Sequence, residues 1–589
     1  KYREGELRLR RSLSLLTLRP SMISRLLPLF FLLGVCSSLN VLVFLLGTVQ
    51  QERANMELIA QQLALRHHTV ITVKPILIPE EPRLVKPKLH LVREKQLKNL
   101  LPRKLYQPLE KAYNGVWKER YDYDAYLEPY YAAHNMSCAR MLNSDLIDGL
   151  KKDALDVAIV YAGNPCQLAI AHVLGVPVIY FDEEGLTDET LIAANAPIDL
   201  SIPLSHCRLS TLSSNPVASR LGSSVCLLSE IVAQSAIPIL SSIVSKRYKN
   251  MDGPISRLFA EDYTIRKRFP NFPNVNTLKQ QVSVYMANTD PLLEYQRSLP
   301  SHVIPVGGLH LDHPRPLFSP WNDTITTSKQ GTIIVSFGTH INNSAITASQ
   351  TAALYGALSQ LSDYRIIWSI GPSLSLPGIN VSTTSSHINI TAYMPQNDLL
   401  ADKRTKLLVT NGGPNSLMEA IAYGVPVVGI PLYGVNKHNL DKVTHKGMGI
   451  VVQKNELSQT NLLRAMKSVL ESSKYKTVAK DMSKEFKTRQ QMGSVLERVV
   501  HLIEHVGRHH GYAFFRQNNN GLFNIVRVMS LEMAFYLFLI FGAPLFLSYV
   551  IFTKSLAVIF SHRTYHPLPS KPVEATNPNP VKSSKSKAK

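Results

Sequence analysis

Six residues able to serve a nucleotide crowd one short stretch: Asn411, Gly412, Gly413, Asn415, Ser416 and Glu419. Two adjacent glycines let backbone approach a ligand closely, and a helix N-terminus presents free N–H groups and a positive dipole end. Phosphate suits that combination. Glu419, one turn further on, could accept hydrogen bonds from ribose hydroxyls. The flanking residues supply the elements that must hold this stretch. The apolar run 407–409 reads as a buried strand feeding a tight turn. A helix follows, with Asn415 or Ser416 as its N-cap and with Leu417, Ala420 and Ile421 on one face. Gly424 stops it, and residues 425–430 form the next strand. The same strand, turn and helix would also serve as plain fold architecture, so this geometry alone leaves both readings open.

The chain has 589 residues, enough for two or three domains, and its 45% hydrophobic and 18% charged content is that of a folded protein. The net charge of +21 suggests nucleic acid. Its distribution argues against it, because about half of the excess lies in residues 1–25 and 554–589, and no basic and aromatic groove pattern accompanies it. Of five cysteines, Cys36 falls in a hydrophobic leader; Cys138, Cys166, Cys207 and Cys226 remain, and their pairing stays open. No Cys-x-x-Cys and no zinc-like His/Cys spacing occurs.

Residues 1–21 read as a leader or an extension of the gene prediction. Residues 22–38 read as a signal peptide: Met22, Arg25, an apolar run over 26–35 and small residues at 36–38. The competing reading is an anchor through Leu46, but residues 40–45 are wanted as the first strand. A helix over 51–65 and a strand over 69–73 complete a βαβ unit. Residues 80–120 read as solvated helices and loops, and 155–160 and 176–180 as further strands around a helix. A second α/β unit begins at the strand 332–338, followed by a helix over 349–361 and a strand over 364–368. Residues 533–553 are apolar and long enough to span a bilayer. A basic tail follows, so the positive-inside bias puts residues 39–530 on the lumenal side. The glycosylation sequons at Asn135, Asn322, Asn342, Asn380 and Asn389 all fall in that part.

The string from Thr410 through Gly412, Gly413, Asn415, Ser416, Glu419, Gly424, Val425, Pro426, Pro431, Leu432, Gly434 and Asn439 resembles the signature of the animal, membrane-bound UDP-glycosyltransferases, the glucuronosyltransferase type. Tyr393-Met-Pro-Gln396, Cys138 and Pro165-Cys166 resemble the same family. The resemblance covers roughly residues 39–555. It implies an α/β GT-B architecture: two Rossmann-like domains facing a cleft, plus a C-terminal transmembrane helix. The N-terminal acceptor domain would occupy 39–290, a linker 291–330, the UDP-sugar domain 331–500 and a lumenal segment 501–532, before the span 533–553 and the cytosolic tail 554–589. The implied reaction is inverting transfer of glucuronic acid or a hexose from UDP-sugar, a co-substrate, to a small lipophilic acceptor, without metal or cofactor. The alternative is a catalytically degenerate binding protein of this fold, or a partner of active relatives.

The resemblance assigns the donor to Ser336, Gly338, Tyr393, Gln396, Asn411, Gly412, Gly413, Asn415, Ser416, Glu419, Asn436 and Asn439. Asn411 stands where the family has histidine, and Val435-Asn436 where it has an Asp-Gln pair that binds the sugar. The family's general base, a histidine held by an aspartate, falls on Glu52 and Tyr161. Glu52 is either a replacement base or a first-turn acid favoured by the helix dipole. Lys585-x-Lys587 near the end looks like a signal for retrieval to the endoplasmic reticulum. A single-pass type I protein of that membrane, alone or in homo- or hetero-oligomers, is the expectation.

Overall fold

Apolar runs punctuated by glycine turns become parallel strands, buried on both faces, as continuous rather than alternating hydrophobicity predicts. The computed structural model describes residues 38–46, 51–78, 91–117, 123–205, 207, 216–234, 252–338, 345–371, 374–380, 384–511 and 531–561. The expected leader and signal peptide, Asn342, Lys585 and Lys587 lie outside the described residues. The chain divides into two units, residues 1–530 and 531–589.

The first unit holds two sheets. In chain order the strands are β1 (Asn40–Phe44), β2 (Thr69–Pro75), β3 (Arg93–Leu97), β4 (Val157–Tyr161), β5 (Val178–Asp182), β6 (Val284–Ala287) and β7 (Val303–Pro305), then β8 (Gly331–Ser336), β9 (Tyr364–Ser369), β10 (Ile388–Thr391), β11 (Thr405–Thr410), β12 (Val427–Gly429) and β13 (Gly449–Val451). The first sheet runs β3-β2-β1-β4-β5-β6-β7, and the second β10-β9-β8-β11-β12-β13. Both are parallel. Each reverses its order once, between β1 and β4 and between β8 and β11. At such a switch point neighbouring crossovers leave in opposite directions and open a crevice at the carboxyl ends of the strands.

The helix Gln51–Leu65 turns Met56, Ile59, Ala60 and Leu63 onto the first sheet at helical spacing. Against the usual pattern, it also buries Arg53, Asn55 and Glu57; the first and last pair at 3.1 Å. Disulfides join Cys138 to Cys166 and Cys207 to Cys226, closing the pairing that the spacing left open.

Three expectations need correction. Residues 80–120 contribute more than loops: β3 extends the first sheet, and after the helix Arg103–Asn114, Val116 and Trp117 enter the core of the second sheet. Trp117 meets Phe337 edge to face with centroids 5.1 Å apart, and Gln350 Nε2 and Lys454 Nζ donate to the carbonyls of Trp117 and Val116 at 2.7 and 2.9 Å. Second, a boundary at 290 severs β7 from its own sheet. Third, a boundary at 500 cuts the helix Val495–Arg508, whose Val495, Val499, Val500, Ile503 and Val506 lie in the first sheet's core. Its Glu504 meets His68 Nε2 at 3.0 Å.

The second unit, taken by itself, is helical from Leu531 to Ser561 with a π-turn at Phe538–Gly542. Met533–Phe560 is long and apolar enough to cross a membrane, with mean hydropathy 2.2. The helix continues to Ser561, beyond Thr553, where the sequence reading ended the span.

Candidate active site

At the second sheet's switch point, β8 ends in Ser336 and β11 in Thr410, so the turns after both open into one crevice. Ser336 is buried, and its Oγ lies 3.5 Å from the N–H of Gly338, which has φ +76°. Past β11, Asn411 is buried and Gly412 has φ +90°. A Cβ at 412 would lie 2.5 Å from Leu440 Cγ and 3.0 Å from the Asn436 carbonyl, so both conformation and space require glycine there. Gly413 differs: with φ −61° it is the N-cap, and a Cβ on it would come no nearer than 3.8 Å to Asn411 Oδ1. Its openness is what leaves the approach to the helix clear.

The expected cap was Asn415 or Ser416. Instead the helix Pro414–Tyr423 starts earlier, with Pro414 at its first position and no side-chain cap. Leu417 N–H is the first to reach back, to the Gly413 carbonyl at 3.1 Å. The N–H groups of Asn415 and Ser416 therefore face outward from the positive end of the helix, the arrangement that receives an anion. Gln396 Nε2 bonds Ser416 Oγ at 3.0 Å and Glu419 Oε2 at 2.5 Å, while His310 Nε2 lies 3.5 Å from Glu419 Oε1. Glu419 is thus a positioned acceptor. Beside it, the Tyr393 ring is 45% exposed and open for stacking; partial burial and then the Asp398 and Glu419 carboxylates hold its hydroxyl pKa above the usual range.

Asn436 and Asn439 diverge. Asn436 Oδ1 accepts from Tyr433 N–H at 3.2 Å, so its acceptor serves the turn rather than facing a ligand. Asn439 Nδ2 bridges to the Gly412 carbonyl at 3.5 Å and, from the other half, to the Glu184 carbonyl at 3.2 Å.

The first sheet's carboxyl edge faces this site with polar residues that pattern reading missed. Asn55 Nδ2 donates to Glu183 Oε1 at 2.7 Å and to Asn415 Oδ1 at 3.1 Å; Asn288 Nδ2 donates to Asn415 Oδ1 at 3.0 Å. Asp182, at the end of β5, receives Thr187 N–H and the hydroxyls of Thr187 and Thr190 at 3.2, 2.6 and 2.6 Å. Burial pushes its carboxyl up to about 7, against the lowering effect of the two threonines and with a further rise from Glu184. The three consecutive acids 182–184, closing an apolar strand, were the available signal.

The two expected catalytic positions lie on different elements of the first half, the helix Gln51–Leu65 and the end of β4. Glu52 is the second residue of its helix, and its side chain lies outside the described part. Tyr161 is a core residue, 2% exposed, with its ring edge-on to Phe181 and its hydroxyl shielded from solvent. It packs in the first core. Among the sequons, Asn322 and Asn380 are exposed, Asn389 is half-buried in β10, and Asn135 is half-buried within the helix Tyr123–Leu142.

The family described as UDP-glucoronosyl and UDP-glucosyl transferase matches residues 41–561. The chain belongs to this UDP-glycosyltransferase family. It is 28% identical over 423 residues to the 2-hydroxyacylsphingosine 1-beta-galactosyltransferase of Mus musculus, covering 71% of each chain. It is 27% identical over 509 residues to UDP-glucuronosyltransferase 2B15 of Homo sapiens, covering 83% of this chain and 87% of the relative. Among solved structures, the glycotransferase of kitacinnamycin superposes with TM-score 0.52 at 13% identity, over 80% of this chain and 99% of its own. A UDP-glucosyltransferase from Polygonum tinctorium gives TM-score 0.50 at 15% identity, over 81% and 100%. These neighbours share the GT-B fold.

Proposed function

We propose that this UDP-glycosyltransferase binds UDP across the crevice of β8 and β11 and transfers its sugar to a hydroxyl of a small lipophilic acceptor held by the first half. The observation that carries the reading is the open N-terminus at Asn415 and Ser416, next to a Glu419 already positioned by Gln396. The diphosphate would take the two outward N–H groups, Glu419 the ribose hydroxyls and Tyr393 the uracil face. Glu52 would be the base. Its place in the first turn of the helix after β1, beside the switch point of the first sheet, supports this assignment. A carboxylate can serve when desolvation raises its pKa. The apolar helix Met533–Phe560 supports a membrane anchor, and the basic tail with Lys585 and Lys587 supports residence in the endoplasmic reticulum with the sheets on the lumenal side.

The test is UDP release by the full chain in detergent, from several UDP-sugars with phenol and amine acceptors. Transfer is expected, and Glu52→Gln should slow it by roughly 10²–10⁴-fold with UDP affinity nearly intact. UDP binding without transfer from any donor would favour the second reading, a degenerate binding protein, to which the buried Tyr161 already lends weight.

A further inference from the structure

The stretch that leaves β6 is fastened to both halves. Its backbone belongs to the first sheet: Asn288 N–H donates to the Asp182 carbonyl at 2.8 Å, and Gly307 N–H to the Thr289 carbonyl at 2.7 Å. The fit is close, since a Cβ at Gly307 would lie 2.5 Å from the Thr289 carbonyl carbon. Further on, Leu293 enters the second half's core. Next to it, Glu294 Oε1 meets Lys442 Nζ of the helix Asn436–Lys446 at 2.5 Å, with side chains only 5% and 1% exposed. That helix is the wall of the glycine turn, because Gly412 packs on Leu440 and on the Asn436 carbonyl. Lys442 Nζ also lies 3.4 Å from Asn439 Oδ1. With its oxygen turned to the ammonium, the Asn439 amide is left to donate through Nδ2 to the Gly412 and Glu184 carbonyls, at 3.5 and 3.2 Å. Glu294, Lys442 and Asn439 thus form one line from the first half to the turn that opens the donor crevice.

Stability does not account for the pair. Desolvating two charges offsets most of what their attraction contributes. Glu294 Oε1 also accepts from the Thr289 hydroxyl at 2.8 Å, but Oε2 is buried without a donor among the described residues. Its desolvation is therefore not fully compensated. Leu293 already gives the two halves apolar contact, and such contact is non-directional. What the pair adds is direction: opposite charges joined by hydrogen bonds fix a register that packing alone leaves loose.

We propose that Glu294 and Lys442 are positioning residues of the donor site: their pair sets the helix Asn436–Lys446 against the first half and, through Asn439, holds the Gly412 turn in the form that receives the nucleotide. The proposal rests on the reading that UDP occupies the helix N-terminus at Asn415. It makes the shape of the donor turn depend on a carboxylate from the other half.

The test separates holding the turn from holding the fold. It compares the full chain in detergent with Glu294→Leu and with the double variant Glu294→Leu, Lys442→Met. Glu294→Leu alone strands a buried ammonium and should lower the unfolding temperature. Adding Lys442→Met removes that charge and should bring the unfolding temperature back to within a few degrees of wild type. The turn should not recover. Amide exchange over residues 408–416 of the ligand-free double variant should run several-fold faster than in wild type, while the strands of the first sheet keep their protection. Its affinity for UDP, measured by calorimetry, should fall about five- to tenfold, the effect of roughly one lost hydrogen bond. Wild-type exchange at the turn in the folded double variant overturns the proposal, and so does undiminished UDP affinity. If the wild type binds no UDP, the donor-site reading falls, and the exchange comparison still decides whether the pair holds the turn.

Discussion

The two halves of the first unit share a strand order and a switch point, yet they furnish those points differently. In the second half the crevice is built from backbone: a left-handed glycine at 412, an open glycine at 413 and two free helix N–H groups. In the first half it is built from side chains: Asn55, Asp182, Glu183 and Asn288, three of them buried. Backbone recognition tolerates sequence change as long as the turn closes, so the proposed nucleotide site depends little on the side chains of Asn411 and Val435. Side-chain recognition does not.

The largest effect should come from the backbone side. Gly412→Ala is expected to cost about 2–5 kcal/mol, combining a left-handed residue with overlap against Leu440, and to abolish UDP binding. Gly413→Ala should leave the unfolding midpoint nearly unchanged while weakening UDP, because its Cβ enters the space a phosphate would use. Equal stability of the two variants would erase the distinction between the glycines.

The side-chain half should instead respond to pH. Asp182 in the folded chain keeps its proton up to about 7, whereas an unfolded aspartate loses it near 4. The stabilising effect is fully present below about pH 4 and is lost as pH rises through about 7, with a slope of at most about 1.4 kcal/mol per pH unit. Asp182→Asn should flatten that part of the stability profile, followed by thermal unfolding from pH 4 to 8. An unchanged slope would mean that the carboxyl is ionised in the fold.

Smallest should be the loss of one strand of the link between the halves. Asn288→Ala removes donors from Asn415 and Glu183 and is expected to cost about 1 kcal/mol in chemical denaturation. No measurable cost would show that the cross-cleft amides only fill space.

The same contrast explains what could be read in advance. Strands β1, β8 and β11 and the helix Gln51–Leu65 announced themselves because period and turn chemistry are local. The glycine turn was legible for the same reason, although its cap was misplaced by two or three residues, since Pro414 starts the helix before either capping candidate. Asn55 was not legible. A polar residue on an amphipathic helix reads as solvated, and its partner Asn415 is 360 positions away. Tyr161 was legible only in part: counting found the strand end but could not say which way the side chain points, and it points into the core. β7 was read as linker, and the helix Val495–Arg508 was divided between the second half and a trailing segment, because chain order is a poor guide where a segment crosses back.

Trp117 shows how far that crossing goes. Nearly the first fifth of the chain must be in place before the second sheet's apolar face can close, because that face is completed by Val116 and Trp117 and fastened by Gln350, 233 positions on from Trp117. The halves are therefore not interchangeable parts. A hybrid that joined this chain's first half to another family member's second half at the linker would carry a tryptophan shaped for Phe337 into a foreign core, and the reciprocal hybrid would leave this chain's second core without it. Diversity in such a protein has to accumulate within each half and at the cleft rather than by exchange of whole halves.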